Sequence, residues 1–247
     1  MFKNKLDKKW IIVIAVSVLV LALAVTLIVA HVLKIKEAEK EAEEFFEQYY
    51  DNKVAQFEKE NEEQSQYDVV FVGDSLTDGY DVVAAFPSYS VANRGIGGDT
   101  TSGLIKRMKT SIYDVNPKLV VILIGANDVL QGRSDNYILN NCSKIIDMIQ
   151  KHCPDAKILI QSFYPLTSDW SDAAAAMQRL NPEMVEVAER YGCTYVDVFS
   201  ALTDESGKYL NSAFTEDGVH LNSIGQAVVT SLLNPYIEQL MNEVEDN

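Results

Sequence analysis

Three residues in this 247-residue chain have the types and surroundings of a nucleophile, a general base and an orienting carboxylate. Ser75 lies in the stretch DVVFVGDSLT, where four apolar residues end at a glycine. His220 is the only credible general base, because His31 borders an apolar run and His152 ends an amphipathic pattern. Asp217 is close enough in sequence to bond the far ring nitrogen and stabilise the imidazolium that forms when the base takes the serine proton.

Two further stretches could stabilise negative charge on a reacting carbonyl oxygen. Residues 93–100 read NRGIGGDT, and their three glycines leave backbone N–H groups uncovered, as an oxyanion requires. Asn127, in the sequence GAND after an apolar run, could donate a second hydrogen bond to the same oxygen. Four stretches in order therefore supply the parts of one mechanism, which is ester hydrolysis through an acyl-enzyme.

Each stretch also has an ordinary structural explanation. Ser75 and the aspartate before it are favoured at helix N-caps. Asn127 followed by Asp128 is common turn chemistry after a strand, and a loop histidine taken alone is more often not catalytic. The glycine-rich stretch contains no GxxxxGK[ST] and is only a weak dinucleotide signal. The combination of all four favours the catalytic interpretation.

The elements that must position these residues alternate between apolar runs and amphipathic segments. Strands are predicted at 69–72, 89–92, 119–124, 158–162 and 194–198, and helices at 76–85, 101–112, 137–152, 173–191 and 223–244. Apolar runs without alternation are typical of strands buried on both faces of a parallel sheet. The alternation of strand and helix predicts such a sheet with helices on both faces and a ligand site at the carboxyl ends of its strands.

The N-terminal part of the chain is organised differently. Residues 1–9 carry four lysines against one aspartate, and residues 10–33 form an apolar run without Asp, Glu, Lys or Arg. A run of this length predicts a transmembrane signal-anchor helix, with residues 1–9 in the cytoplasm and the remainder outside. The alternative is a signal peptide cleaved near Ala22-Leu23-Ala24.

Residues 34–66 predict an acidic helical stalk before a catalytic domain at 67–247. The segment contains neither glycine nor proline, and an apolar stripe recurs at helical spacing through Ile35, Ala38, Ala42, Phe45 and Tyr49. The stripe could pair with a second copy of the chain or pack on the domain, but two heptads are too few for a coiled coil. A solvated spacer is the preferred interpretation.

Composition limits the other functions that the chain could have. The net charge of −15 and pI near 4.6 argue against a nucleic-acid surface, which needs clustered Lys and Arg. Three cysteines at spacings that suit neither zinc nor a disulfide predict free thiols, and we expect no metal and no cofactor. A single N-glycosylation sequon at 141–143 favours a bacterial source.

The four stretches resemble the sequence blocks of the SGNH hydrolase superfamily, the GDSL esterases and lipases. GDSLT, NRGIGGDT, GAND and DGVH fall within residues 68–234, and the GIGGDT form is especially similar to the branch containing the platelet-activating-factor acetylhydrolase catalytic subunits. The resemblance implies a catalytic triad of Ser75, Asp217 and His220. It implies an oxyanion hole made by Gly98, Asn127 and the backbone N–H of Ser75. It also implies a three-layer α/β/α sandwich with about five parallel strands in flavodoxin-like order.

We therefore expect a membrane-anchored, extracytoplasmic serine esterase. Its expected substrates are short-chain acyl or O-acetyl esters of envelope glycans, or lysophospholipids. Phe163, Tyr164, Pro165 and Trp170, after the fourth strand, are expected to wall the substrate pocket, although Trp170 could equally be a loop anchor. The alternatives are an O-acyltransferase using the same triad, a metal-dependent phosphoesterase and a non-catalytic binding module.

Overall fold

The computed structural model describes residues 7–245, apart from the side chains of residues 8, 15, 18, 20 and 245. The chain divides into two compact units, Met1–Gln48 and Tyr49–Asn247. The described strands are β1 (Val69–Gly73), β2 (Val91–Gly95), β3 (Leu119–Leu123), β4 (Lys157–Gln161) and β5 (Thr194–Val196). The described α-helices are α1 (Lys8–Glu63), α2 (Ser75–Asp78), α3 (Val82–Ala85), α4 (Thr101–Lys106), α5 (Met108–Ser111), α6 (Ala126–Leu130), α7 (Asp135–His152), α8 (Ser171–Tyr191), α9 (Phe199–Leu202) and α10 (Ser223–Glu245).

The five strands form one parallel sheet in the order β2-β1-β3-β4-β5. This is the flavodoxin-like order, and the predicted parallel α/β fold is confirmed. Gly73 at the end of β1 is level with Gly95 on β2 and with Leu123 on β3. The segments that follow these three strands therefore leave the sheet at the same edge, beside the point where the strand order reverses.

Alternate residues of each strand face two separate apolar cores. Val70 and Val72 lie in the core that β1 shares with α4, α5, α7 and α8. Val69 and Phe71 lie in the core on the opposite face, with residues of α3, α9 and α10. Because both faces are covered, the strands are continuous apolar runs, which explains why they could be found in the sequence.

Two of the predicted helices are broken. The segment predicted as one helix at 101–112 is α4 followed by α5, and the break falls at Arg107, whose guanidinium turns into the protein interior. The segment predicted at 76–85 is α2 and α3, separated at Gly79 and restarted by Asp81, whose side chain accepts a hydrogen bond from Ala84 N–H. In both places a tertiary contact or a cap overrides the helical pattern.

The unit Met1–Gln48 consists mainly of the first part of α1. Residues 1–6 of the predicted cytoplasmic N-terminus lie outside the described residues. Across residues 7–245, no helix combines the length and the apolar character that crossing a membrane requires. The membrane span predicted at 10–33 is therefore not confirmed, and pairing of the stalk with a second copy stays a prediction.

The second compact unit begins at Tyr49, within the segment predicted as a stalk at 34–66. The end of α1, residues 49–63, belongs to the compact unit, where Phe57 is only 1% exposed. The guanidinium groups of Arg94 and Arg107 lie 4.8 and 6.0 Å from the centre of the Phe57 ring. The side-chain amide of Asn61 donates to Thr110 O at 2.7 Å. This part of the predicted stalk is thus packed on the domain, which an acidic amphipathic pattern cannot distinguish from a solvated helix.

We expect Phe57→Ala to lower the free energy of unfolding by about 3 to 5 kcal/mol, because it empties a buried site and uncovers two guanidinium groups. Phe46→Ala is the matched control in the same helix, since Phe46 is 52% exposed. Phe46→Ala should lower the free energy of unfolding by less than about 0.5 kcal/mol. Urea unfolding of the two variants measures the difference, and equal stabilities would mean that residues 49–63 do not pack on the domain.

Candidate active site

The nucleophile candidate lies on a tight turn between β1 and α2. Gly73 ends the strand, and a Cβ on it would lie 2.2 Å from Leu123 O and from Thr77 Oγ1, so only glycine allows these segments to approach. Asp74 caps α2 by accepting a hydrogen bond from Leu76 N–H at 3.1 Å. Ser75 is the first residue of α2. The side chain of Ser75 is therefore presented at the carboxyl edge of the sheet.

The structure brings Ser75, His220 and Asp217 together, although Ser75 and His220 are 145 positions apart in the chain. His220 Nε2 lies 2.9 Å from Ser75 Oγ, and His220 Nδ1 lies 2.7 Å from Asp217 Oδ2. Burial alone would raise the pKa of Asp217, but hydrogen bonds from the His220 ring and from two backbone N–H groups lower it well below its ordinary value. The ionised carboxylate requires a proton on Nδ1. In the neutral ring, Nε2 is then free to accept the Ser75 proton.

The histidine is oriented by its own short loop. Asp217 Oδ1 accepts hydrogen bonds from the backbone N–H of Val219 at 2.9 Å and of His220 at 2.8 Å, while Oδ2 bonds the ring. Gly218 has a φ of +85°, which permits the turn that brings these N–H groups back to the carboxylate. One carboxylate therefore holds both the backbone and the imidazole of the candidate base.

The predicted oxyanion donors lie on adjacent loops at the same edge. Gly98 has a φ of +78° in the loop after β2, and Gly125 has a φ of +118° just before α6. Asn127, in the first turn of α6, donates one side-chain N–H to Asp99 O at 2.8 Å. This bond ties the amide of Asn127 to the residue after Gly98 and leaves its second N–H available for another acceptor.

Two buried carboxylates that the sequence reasoning missed support these loops. Asp99 accepts from Arg107 Nε at 2.8 Å, and both side chains are at most 2% exposed. Asp128, which is fully buried, accepts from the backbone N–H of Thr101 at 2.8 Å and from its Oγ1 at 2.7 Å. The sequence did contain one indication of a buried carboxylate. Arg107 lies on the apolar stripe of its predicted helix, and a charge there needs a buried partner.

Asp74 is a buried carboxyl group next to Ser75, the candidate nucleophile. Burial, with a smaller contribution from the charges of Asp99 and Asp128, raises its pKa to about 7 against the opposing effects of the Leu76 N–H and the charge of His220. One of its carboxyl oxygens, Oδ2, is buried without a hydrogen-bond partner among the described residues. The ionised form of Asp74 is therefore costly in the folded protein.

A cavity of about 170 Å³ opens beside Ser75 and His220. Its other described walls combine polar and apolar groups and come from α2 and the residues after it, from the segment after β4, and from α10 and the residues before it: Leu76, Gly79, Tyr80, Tyr164, Leu221, Gln226 and Val229. Tyr164 thus lies where the sequence predicted a pocket wall, and its hydroxyl donates to Gln161 Oε1 at 2.6 Å. The α10 residues were missed because the segment reads as a plain surface helix.

The other three predicted pocket residues do not line this cavity. Pro165 is buried, and Phe163 is buried in the core with its ring close to Gly125. Trp170 is 42% exposed and lines a separate open groove with Arg133 and Asp172. Proximity to a strand end in the sequence does not determine side-chain direction, so a role of these residues in substrate binding stays a prediction.

This chain is similar in sequence and structure to known hydrolases. The sequence profile of the GDSL-like Lipase/Acylhydrolase family matches residues 71–228. The platelet-activating factor acetylhydrolase IB subunit alpha2 of Rattus norvegicus is 25% identical over 185 residues, which are 72% of this chain and 80% of that protein. An arylesterase of Vibrio mimicus is 33% identical over 101 residues, covering 35% of this chain and 50% of that protein. A solved structure from Streptococcus pneumonia has a TM-score of 0.76 at 26% identity, covering 81% of this chain and 98% of that one.

Asp74 should make the stability of the protein depend on pH. Because its folded-state pKa is raised to about 7, the folded protein holds a proton that the unfolded chain releases near pH 4, so stability falls as pH rises towards 7. Asp74→Asn removes this dependence while keeping an acceptor for Leu76 N–H. As the pH rises from 5 to 8, the free energy of unfolding of the variant should increase by about 2 to 3 kcal/mol relative to that of wild type.

The matched control is Asp81→Asn, because Asp81 also caps a one-turn helix but is exposed. Urea unfolding of wild type and both variants at pH 5, 6, 7 and 8 gives the difference in the free energy of unfolding between wild type and each variant at each pH. A difference between wild type and Asp74→Asn that stays constant across this range would contradict the assignment of a raised pKa to Asp74.

Proposed function

The chain belongs to the GDSL-like lipase/acylhydrolase family of the SGNH hydrolase superfamily, and we propose that it hydrolyses short-chain carboxylic esters through Ser75, His220 and Asp217. Family membership and the esterase relatives make it an ester-hydrolysing serine hydrolase. The residue roles and the acyl group are the parts that we propose. One observation carries them, which is that the His220 ring lies between Ser75 Oγ, at 2.9 Å, and Asp217 Oδ2, at 2.7 Å.

In the proposed reaction, Ser75 Oγ attacks the ester carbonyl carbon while His220 Nε2 takes the Ser75 proton. Collapse of the tetrahedral intermediate breaks the bond to the alcohol, which leaves with the proton returned by His220 and forms an acyl-enzyme. A water molecule, deprotonated by the same nitrogen, then attacks the acyl carbon. The bond from this carbon to Ser75 Oγ breaks, His220 returns the proton to Oγ, and the acid is released. Asp217 stays ionised throughout and stabilises the imidazolium.

The negative oxygen of both tetrahedral intermediates needs hydrogen-bond donors that are already in position. We assign this role to the backbone N–H groups of Ser75 and Gly98 and to the second side-chain N–H of Asn127. The bond from Asn127 to Asp99 O supports the assignment, because it holds the amide in one orientation next to the glycine loop. Donors that need no rearrangement during the reaction are the most effective ones.

The cavity beside Ser75 supports a short acyl group. At about 170 Å³ it is smaller than the roughly 300 to 1,000 Å³ of pockets that hold drug-sized ligands. The apolar part of its wall, which includes Leu76, Tyr80 and Val229, suits a small alkyl chain. The name of the Rattus norvegicus relative, an acetylhydrolase, agrees with this size. We propose acetyl and other short acyl esters as substrates.

The location of the enzyme stays a prediction from the sequence. The lysines in residues 1–9 and the uncharged run at 10–33 favour an N-terminal anchor, with the esterase domain outside the cytoplasm. The proposed natural substrates are then O-acetylated envelope glycans or acyl lipids. Cell fractionation tests whether the N-terminal segment anchors the protein, because an anchored protein stays in the membrane pellet after alkaline carbonate extraction. Quantitative release into the supernatant would contradict it.

The function is tested on p-nitrophenyl esters of increasing chain length. Wild type should turn over the acetate and butyrate with a higher kcat/KM than the palmitate, and Ser75→Ala should be inactive on all of them. A fluorophosphonate probe should label wild type but not Ser75→Ala, and EDTA should have no effect, since no group of three His, Cys, Asp or Glu side chains among residues 7–245 could hold a metal ion. Activity that survives Ser75→Ala, or that EDTA abolishes, would overturn the proposal.

The same assay tests the oxyanion donor. Asn127→Ala should lower kcat by roughly a hundredfold or more, because it removes one donor worth about 3 to 4 kcal/mol in the transition state. KM should change little, since the interaction forms only as the oxygen becomes negative. Asn136→Ala on the exposed surface of α7 is the control and should behave as wild type. Equal kcat values for the two variants would remove Asn127 from the mechanism.

A further inference from the structure

The end of α1 reaches the loop that carries the oxyanion donor. Asp78 is the last residue of α2 and lies one turn after Ser75. Tyr49 OH donates to Asp78 Oδ2 at 2.6 Å, and Lys53 Nζ donates to Asp78 Oδ1 at 2.8 Å. Tyr49 and Lys53 are one helical turn apart, so one face of the helix supplies both donors.

The same carboxylate holds the oxyanion loop. Gly97 N–H donates to Asp78 Oδ2 at 2.9 Å, so this oxygen is shared between Tyr49 and the residue before Gly98. A Cβ built on Gly97 would lie 3.4 Å from the Tyr49 ring and 4.0 Å from Ser75 Cβ. The tyrosine ring is therefore packed against Gly97, and the Ser75 side chain lies close to the same glycine.

The helix has other contacts that hold it on the domain. Phe57 is buried, Asn61 bonds Thr110 O, and Tyr50 OH donates to Gly103 O at 2.9 Å. Glu60 forms an ion pair with Arg94. Because four contacts dock the helix without Asp78, the pair of bonds from Tyr49 and Lys53 is not needed for docking alone.

We propose that Tyr49 and Lys53 are positioning residues of the esterase site, which act through Asp78 on the Gly97–Gly98 loop. Tyr49 restrains the oxygen that holds Gly97 N–H and thereby sets the direction of the next donor, Gly98 N–H. Lys53 neutralises a carboxylate that is only 14% exposed and that would otherwise oppose the negative charge developing beside the loop. This inference rests on the proposed function, since it assumes that Gly98 stabilises an oxyanion.

Protonation of Tyr49 supports its role as a donor. The hydrogen bond to Asp78, together with burial and the charge of Asp78, raises the pKa of Tyr49 to about 12. The hydroxyl therefore keeps its proton over the whole range in which His220 could act as a base. Lys53 also lies 5.4 Å from the centre of the Phe57 ring, so the docked helix restrains the ammonium group.

The test removes one interaction at a time in the full-length protein. Tyr49→Phe deletes only the hydroxyl, and Tyr50→Phe is the matched control, because it deletes the neighbouring hydroxyl that bonds Gly103 O instead. Lys53→Met removes the charge, and Lys53→Arg restores it. Steady-state kinetics on p-nitrophenyl acetate give kcat and KM separately, and thermal unfolding checks that every variant is folded.

We expect Tyr49→Phe and Lys53→Met each to lower kcat about tenfold with KM within about twofold, because a misplaced donor weakens only the transition state. Lys53→Arg should recover most of the loss, and Tyr50→Phe should stay within about twofold of wild type. A wild-type kcat in Tyr49→Phe and Lys53→Met, or an equal loss in Tyr50→Phe, would overturn the proposal.

The outcome is distinguishable from failure of the proposed function. If wild type hydrolyses no ester and is not labelled by the fluorophosphonate probe, the function itself fails. If wild type is active, Ser75→Ala is inactive and Tyr49→Phe keeps the wild-type kcat, only the positioning role fails. A rise in KM at constant kcat would show that Tyr49 and Lys53 bind the substrate, and it would likewise contradict the positioning role.

Discussion

A buried ion pair between Arg107 and Asp99 ties together the segments at the carboxyl edge of this sheet. Both side chains are at most 2% exposed. Beyond Asp99, the guanidinium donates to Gly73 O at 2.9 Å, to Arg94 O at 2.7 Å and to Ser111 Oγ at 2.9 Å. A charge can be buried only when its donors are satisfied in this way. The ends of β1 and β2 and the start of the proposed oxyanion loop are consequently tied to one side chain. This side chain fixes the positions of Ser75 and Gly98 relative to each other.

His220 comes from a different part of the chain and is positioned by different interactions. The side chains of His220 and Asp217 are 50% and 55% exposed, whereas Val219 and Leu221 pack against the two apolar cores. The Asp217 carboxylate accepts hydrogen bonds from two backbone N–H groups and bonds the ring, and these bonds orient the exposed imidazole. The result is an open site in which the proposed nucleophile and oxyanion loop face a proposed base that local hydrogen bonds orient.

The end of α1 adds a second layer of support that the fold alone does not require. The parallel sheet and its covering helices form two complete apolar cores from strand and helix residues after position 67. Residues 49–63 contribute Phe57, which lies against Arg94 and Arg107, and a face that ends on Asp78. The end of the acidic segment is thus part of the surroundings of the candidate active site, and not only a connection to the domain.

The sequence by itself determined the order of the strands along the chain and the identity of Ser75, Asn127, Asp217 and His220 as the residues that could do chemistry. It could do so because buried parallel strands are continuous apolar runs, and because catalytic groups follow strand ends directly in sequence. The resemblance to one family then supplied Gly98 and the sheet order. Secondary structure was less certain wherever one side chain, such as Arg107, broke a regular pattern.

Only the tertiary structure decided which side chains line the cavity and where the domain begins. Phe163 and Tyr164 are neighbours in sequence, yet one ring lies in the core and the other beside Ser75, because successive side chains leave the backbone in different directions. Val229 joins the same wall from the last helix. Residues 49–63 have the same amphipathic pattern whether they face water or a protein surface. Contacts between residues far apart in the chain leave no trace in local periodicity, so these features depend on how the elements pack.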